Sequence, residues 1–173
     1  MGIIVSVLMG MALTLPISSA ALGVILNLSG IAAGAATVGC CAQMIGFATA
    51  SFRENGIGGL LAQGIGTSML QVPNIVRKPL IWLPTIITSA ILGPIPTVVL
   101  KMTNNAIGSG MGTAGLVGPI MAYKTMITNT SPTITILMIL VMLIIAPAFL
   151  TYFISEAMRR KGLIKDGDMK LEI

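Results

Sequence analysis

The residues best equipped for chemistry in this 173-residue chain are almost all uncharged. Gln63, Thr67, Gln71 and Asn74 crowd one short glycine-rich stretch, and Asn104, Asn105 and Thr113 mark a second. Amide and hydroxyl side chains both donate and accept hydrogen bonds, so this set suits a neutral ligand carrying many hydroxyls. Each of them taken alone also suits a plainer task, the satisfaction of broken backbone. Glu54 and Asn55 stand just ahead of the first stretch. An ionised Glu54 offers about four acceptor positions. Beside Arg53 it reads equally as half of a solvated pair at a helix end, worth about 0–1 kcal/mol.

Other chemistries are excluded by what is missing. There is no histidine, which removes the commonest general base and metal ligand. Cys40 and Cys41 are adjacent within an apolar run. Neighbours cannot easily bridge each other and have no spaced partner for a metal, so both read as small buried packing residues. Asp166 and Asp168 flank Gly167 but lack the further acids of a metal loop, and read as part of a solvated tail. No catalytic residue, cofactor or metal site is expected. Aromatic residues make up 4%, too few for a base-stacking surface, and nucleic acid is not an expected partner.

The elements that must position these residues are set by charge. Nothing charged occurs from Met1 to Phe52, Asn55 to Val76, Pro79 to Leu100, Met102 to Tyr123 or Thr125 to Ser155. A bilayer core takes about 20 helical residues to cross. Charged residues are 9% of the chain, against about 25% in soluble domains, and mean hydropathy is +0.98. The reading is an all-α integral membrane protein embedded in lipid. Crossings are expected near Ile3 to Leu26, kinked at Pro16, then at Ile31 to Ala50, Pro79 to Leu100 and Thr133 to Ser155. The apolar start lacks a basic n-region and its hydrophobicity runs on, so a signal peptide is not expected. It also fits an internal piece of a longer membrane protein.

Two charge-free stretches are poor helices. Gly56 to Pro73 and Asn104 to Pro119 are dense in glycine, and each glycine costs up to about 1 kcal/mol of helix relative to alanine. Irregular backbone at membrane depth survives only inside protein or beside a wet cavity. Both read as re-entrant hairpins or broken helices. They also match each other: Gly64-Ile65-Gly66-Thr67, Leu70, Pro73 and Lys78 recur as Gly110-Met111-Gly112-Thr113, Leu116, Pro119 and Lys124 at one offset of 46 positions. One crossing lies between the copies, which makes them an inverted repeat of the kind that builds transporter sites near the midplane.

Four crossings and two re-entrant segments put Arg53, Arg77, Lys78 and the basic end of the chain on one face, with Lys101 and Lys124 on the other. The positive-inside rule makes the first face cytoplasmic, and both termini are expected there. Residues 1–156 form the membrane-embedded unit and 157–173 a short basic cytoplasmic tail.

GCCAQMIGFATASFREN from Gly39 to Asn55, GGLLAQGIGTSMLQVPNIV from Gly58 to Val76 and GMGTAGLVGPI from Gly110 to Ile120 together resemble one family. It is the EIIC-type membrane subunit of bacterial phosphotransferase-system sugar transporters, in the branch that includes proteins described as toxin regulators. The resemblance covers about Met1 to Ile127 and suggests a C-terminal half. It implies a multi-pass permease subunit of the bacterial plasma membrane, commonly a homodimer. Such a subunit binds and translocates a sugar that a separate cytoplasmic phosphoryl-carrier subunit phosphorylates. It offers Glu54 the role of accepting bonds from sugar hydroxyls, with Asn55, Gln63, Thr67, Gln71, Asn74, Asn104, Asn105 and Thr113 as further contacts. The alternatives are a membrane sensor or regulator with the same fold that no longer transports, and a self-contained oligomeric channel.

Overall fold

The computed structural model describes residues 1–172, and among them every regular element is helical. One isolated bridge joins Gly30 to Asn104. Three helices are long and apolar enough to cross a membrane: Gly30–Ala50, Pro79–Val99 and Pro132–Arg160. They coincide with three of the expected crossings, and the chain is an all-α membrane protein.

The hub is α3 (Gly30–Ala50), whose most apolar stretch is 83% buried. Small residues bring this about. Without a hydrophobic drive between helices in lipid, association depends on close packing, and the Gly and Ala surface of α3 lets neighbours come near. Gly39 is the clearest case: a Cβ there would land on the carbonyl oxygen of Ser6 in α1 (Gly2–Thr14).

Contacts along that seam give its direction. Ser6 meets Gly39, Gly10 meets Gly39 and Gln43, and Thr14 meets Gln43, so α1 runs the same way as α3. The expected crossing from Ile3 to Leu26 is therefore corrected. At 13 residues α1 is about 20 Å long, short of the roughly 30 Å hydrocarbon core. It stops where Leu15 turns extended (φ −73°, ψ 161°) ahead of Pro16, as expected before a residue that disfavours helix at the preceding position. Ser18 then caps α2 (Ser19–Ile25) by accepting a bond from Ala21 N–H, and α2 doubles back toward the start of α3.

Beyond α3 come α4 (Phe52–Leu61), α5 (Val72–Arg77) and α6 (Leu83–Leu92), which with its flanking turns makes the crossing Pro79–Val99. Ser89 lies beside Gly39 and Thr85 beside Gln43, so α6 is antiparallel to α3. Short α7 (Ala106–Ser109) and α8 (Val117–Met126) follow. The last crossing joins α9 (Pro132–Leu140) to α10 (Ala146–Arg160). A π turn at Val141–Ile145 joins them just before Pro147, where the missing N–H breaks the ordinary ladder. Its outward Ile134, Ile136, Leu137 and Leu140 are exposed, as a lipid-facing helix requires.

Met142 and Leu143 pack with Val38 and Cys41, and Met158 with Phe47 and Ala50, so the last crossing parallels α3. The bundle thus has a tail end, holding Ala50 and Arg159, and a far end, holding Gly30 and Asn104. Gly2 lies at the far end, against Gly93 and Thr97. The expectation that both termini share a face is corrected, because α1 starts at the end opposite the tail.

The two glycine-rich stretches share a local plan. In the first, α4 is interrupted at Gly56 (φ 57°) and widens into a π turn at Ala62–Gly66, followed by an extended Thr67, a 3₁₀ turn at Ser68–Gln71 and then α5. In the second, α7 gives way to a turn through Gly112 (φ 52°), a 3₁₀ turn at Ala114–Leu116 and then α8. Pro73 and Pro119 each sit in the first turn of the closing helix, where proline's missing donor does no harm.

Candidate functional site

At the tail end, the two turns of the first glycine-rich stretch aim its amides at one another. Gln63 Nε2 donates to Ser51 Oγ (2.8 Å) and to the Gly59 carbonyl (3.1 Å), and Gln63 Oε1 accepts from Gln71 Nε2 (2.9 Å). Gln71 Oε1 in turn accepts from Asn74 Nδ2 (2.9 Å). Gln63 and Gln71 are fully buried. Buried amides must be bonded, and this relay accomplishes it.

Its outer side is covered by the end of the chain. The Met169 carbonyl accepts from Asn55 Nδ2 (2.9 Å) and Gln71 Nε2 (3.0 Å), and the Lys170 carbonyl from Asn74 Nδ2 (2.9 Å). The Leu171 N–H donates to Asn55 Oδ1 (2.8 Å). Ile164 and Met169 are buried in an apolar cluster with Phe47, Ile75, Ile81 and Met158. The segment expected as a solvated tail is instead packed, because two apolar anchors and these main-chain bonds hold it.

Charge reinforces the cover. Glu54 Oε1 accepts from Arg159 Nη2 (3.0 Å) and from the Gly167 N–H (3.0 Å), with both side chains of that ion pair less than a tenth exposed. Arg53 pairs with Glu156 instead (3.1 Å), so the expected Arg53–Glu54 surface pair does not form. Arg159 also reaches Asp166 (2.8 Å), Arg77 reaches Glu172 (3.2 Å), and Lys78 bonds Asp168. Burial on its own would raise the Asp168 carboxyl. The Lys78 hydrogen bond, the Lys165 N–H and the charges of those two lysines outweigh it and hold the group below its usual range.

The remaining candidates lie elsewhere. Asn104 Nδ2 donates to Thr37 Oγ1 (2.7 Å) and the Gly118 carbonyl (3.1 Å), at the far end. Asn105 Oδ1 caps α7 by accepting from Gly108 N–H (2.9 Å). Thr67 Oγ1 accepts from Met69 N–H (3.1 Å) at the surface. Thr113 lies between the two groups, its hydroxyl donating to the Gly64 carbonyl (2.5 Å). It also approaches Met44 Sδ (3.6 Å), in the half of α3 nearer Ala50. The structure thus gathers Glu54, Asn55, Gln63, Gln71 and Asn74 into one cluster and keeps Asn104 and Asn105 apart from it.

A further polar group centres on Gln43 in α3. Gln43 Oε1 accepts from Trp82 Nε1 (2.9 Å), Thr85 Oγ1 (2.8 Å) and Thr14 Oγ1 (3.4 Å), and Thr14 also bonds Ser68 (2.9 Å). Gln43 Nε2 is buried with no partner. Gln43 is fully buried, and an amide inside an apolar span points inward because lipid cannot satisfy it. Thr14, Ser68 and Thr85 had no sequence signal beyond being hydroxyls, and Trp82 turns its ring nitrogen to Gln43. A separate groove of about 500 Å³ beside α10, lined by Phe52, Leu60, Phe149, Tyr152 and Phe153 with Arg53 and Glu156, is apolar and excludes the amides.

These elements coincide with a known family, described as Phosphotransferase system, EIIC, whose sequence model matches residues 1–171. The chain belongs to that family. Searches of curated proteins and of solved structures return no match to it. As an EIIC domain it is a cell-membrane subunit of a phosphotransferase-system sugar transporter, working with cytoplasmic components of that system.

Proposed function

We propose that this EIIC chain binds a sugar within the membrane and translocates it for phosphorylation by a separate cytoplasmic carrier subunit, acting as a homodimer. The two glycine-broken segments are re-entrant, one from each face, and form an inverted repeat around the sugar's path. The observation that carries this reading is their meeting at Thr113 and Gly64, next to Met44. Residue 44 lies well inside a helix of 21 residues that begins at Gly30, so the contact falls at depth and not at a surface. Irregular backbone is sheltered there by α3, as membrane depth demands.

In this reading the tail end is cytoplasmic. Of ten Lys and Arg residues, only Lys101 and Lys124 belong to the segment that returns to the far end, and the heavier basic load marks the cytoplasmic side. Residues 1–156 are the embedded unit, and 157–173 lie on the cytoplasmic face. Glu54, Asn55, Gln63, Gln71 and Asn74 serve the sugar at that face. Thr67 and Thr113 serve it at the repeat, and Asn104 and Asn105 at the opposite entrance. Neutral amides suit a ligand that must be released again, since each bond to an uncharged group contributes only about 0.5–1.5 kcal/mol net.

The test is uptake of a panel of radiolabelled hexoses by vesicles containing the protein, supplied with phosphoenolpyruvate and the soluble carriers. Accumulation as sugar phosphate is expected. Saturable binding without accumulation replaces the permease with a sensor of the same fold, and flux independent of phosphoenolpyruvate replaces it with a channel.

A further inference from the structure

We infer that residues 163–172 are a displaceable strap which closes over the amide cluster from the tail end and must lift before that cluster meets a ligand. The strap is held in the way a bound peptide would be. Asn55, Gln71 and Asn74 bond its main chain at Met169, Lys170 and Leu171, so recognition depends on backbone and little on sequence. Three of its acids, Asp166, Asp168 and Glu172, neutralise Arg159, Lys78 and Arg77 of the body. Lifting it uncovers three cations and three amides together.

Two observations set this apart from ordinary tail packing. The strap's contacts to the body are mostly polar, with Ile164 and Met169 its only fully buried apolar anchors. Few buried apolar contacts are what permit a segment to open without global unfolding. The closed arrangement also leaves Glu54 Oε2 buried with no partner. An orphaned carboxylate oxygen is costly, and it lies on the very side chain that holds the Gly167 N–H. Opening the strap relieves it.

The inference concerns regulation of the site just proposed, and rests on the permease reading only for its effect on uptake. The test uses a contact already present. Lys78–Asp168 is the one lysine–carboxylate pair within salt-bridge distance among the described residues, every other pair there using arginine. A carbodiimide therefore couples strap to body through an amide bond between the Lys78 amine and the Asp168 carboxyl, with loss of water to the reagent. Lys78→Arg keeps the charge and cannot couple. The reporter is Ile75→Cys, buried in the cluster that takes Met169 and Ile164, labelled by a membrane-impermeant maleimide. The native Cys40 and Cys41 are fully buried and give the blank.

Coupling is expected to slow labelling at least about tenfold, because the reaction must pass through the open state, while the Lys78→Arg protein is unaffected by the reagent. Equal rates before and after coupling overturn the strap. Should Ile75→Cys fail to fold, hydrogen exchange at the Gly167 and Leu171 amides of the unmutated protein decides. Exchange faster than at the centre of α3 and slowed by coupling supports the strap, whereas exchange as slow as that of α3 overturns it. Where the vesicles accumulate a hexose, coupling must also depress its uptake, and unchanged uptake overturns gating. Where they accumulate none, the permease reading fails and labelling alone decides.

Discussion

Thr113 donates its hydroxyl proton to the carbonyl oxygen of Gly64 across 2.5 Å. The partners belong to the two copies of a motif that recurs 46 positions apart, at Gly64-Ile65-Gly66-Thr67 and Gly110-Met111-Gly112-Thr113. Two copies of one motif therefore meet at a backbone group left free by the π turn. The equivalent threonine of the first copy does not reciprocate: Thr67 accepts from Met69 N–H at the surface.

That asymmetry predicts unequal costs. Thr113→Val keeps the shape and removes the donor, leaving the Gly64 carbonyl unpaired at depth, for a loss of about 1–3 kcal/mol. Thr67→Val loses a solvated turn bond and should cost less than about 1 kcal/mol. Thermal unfolding in detergent compares them, and Thr113→Ser should recover most of the loss. Equal shifts for the two valine variants would show that the Thr113 bond contributes nothing special.

Glycine substitutions should separate just as sharply. A Cβ at Gly39 meets the Ser6 carbonyl, whereas one at Gly66 meets nothing within 4 Å. Gly39→Ala must push α1 from α3 and cost about 3 kcal/mol, the upper end for overpacking. Gly66→Ala should be neutral within about 1 kcal/mol, since it also narrows the unfolded ensemble. Yield of monodisperse protein and its melting temperature provide the readout.

These elements differ in how far the sequence reveals them. The crossings at Gly30–Ala50, Pro79–Val99 and Pro132–Arg160 are legible because lipid excludes charge, and charge is visible one residue at a time. The break after α1 was equally written, in Pro16 followed by the capping Ser18, but a kink and a reversal begin with the same proline and only packing against α3 separates them. The strap was not legible. Ile164 and Met169 are lone apolar residues among charges, with no period, and their burial is decided by the distant Phe47, Ile75 and Ile81. The Gln63, Gln71 and Asn74 relay was legible as a set. That main-chain carbonyls of the same chain would occupy it was not.

The strap's charges predict a pH dependence. With its folded value depressed, Asp168 contributes stability that is fully present above the ordinary carboxylate range, and this is lost as pH falls through that range toward the folded value. Protonation thus favours the released strap. Hydrogen exchange at the Lys165 and Gly167 amides, corrected for intrinsic chemical rates, should accelerate as the medium is acidified below about pH 4. Lys78→Ala should move that acceleration to higher pH by removing the hydrogen bond that lowers the carboxyl. Acid-insensitive exchange would mean that Asp168 does not hold the strap.

Glu54 carries the sharpest test of the site, because two roles for it predict opposite patterns. As the buried partner of Arg159, its replacement leaves a cation with less compensation, and breaking a buried pair costs about 3–5 kcal/mol. Asp166 remains on the same guanidinium, so Glu54→Gln should fall below that range. Arg159→Gln leaves the buried carboxylate with only the Gly167 N–H and should be the worse of the two. A double-mutant cycle on this pair should give a coupling energy of about 1–3 kcal/mol. If Glu54 only braces the fold, Glu54→Gln and Arg159→Gln should impair hexose uptake in proportion to their loss of stability. If its carboxylate also accepts sugar hydroxyls once the strap lifts, Glu54→Gln should raise KM beyond what Arg159→Gln does, despite being the milder lesion. Stability and KM measured on the same two variants separate these roles, since only the ligand role reverses the order between the two scales.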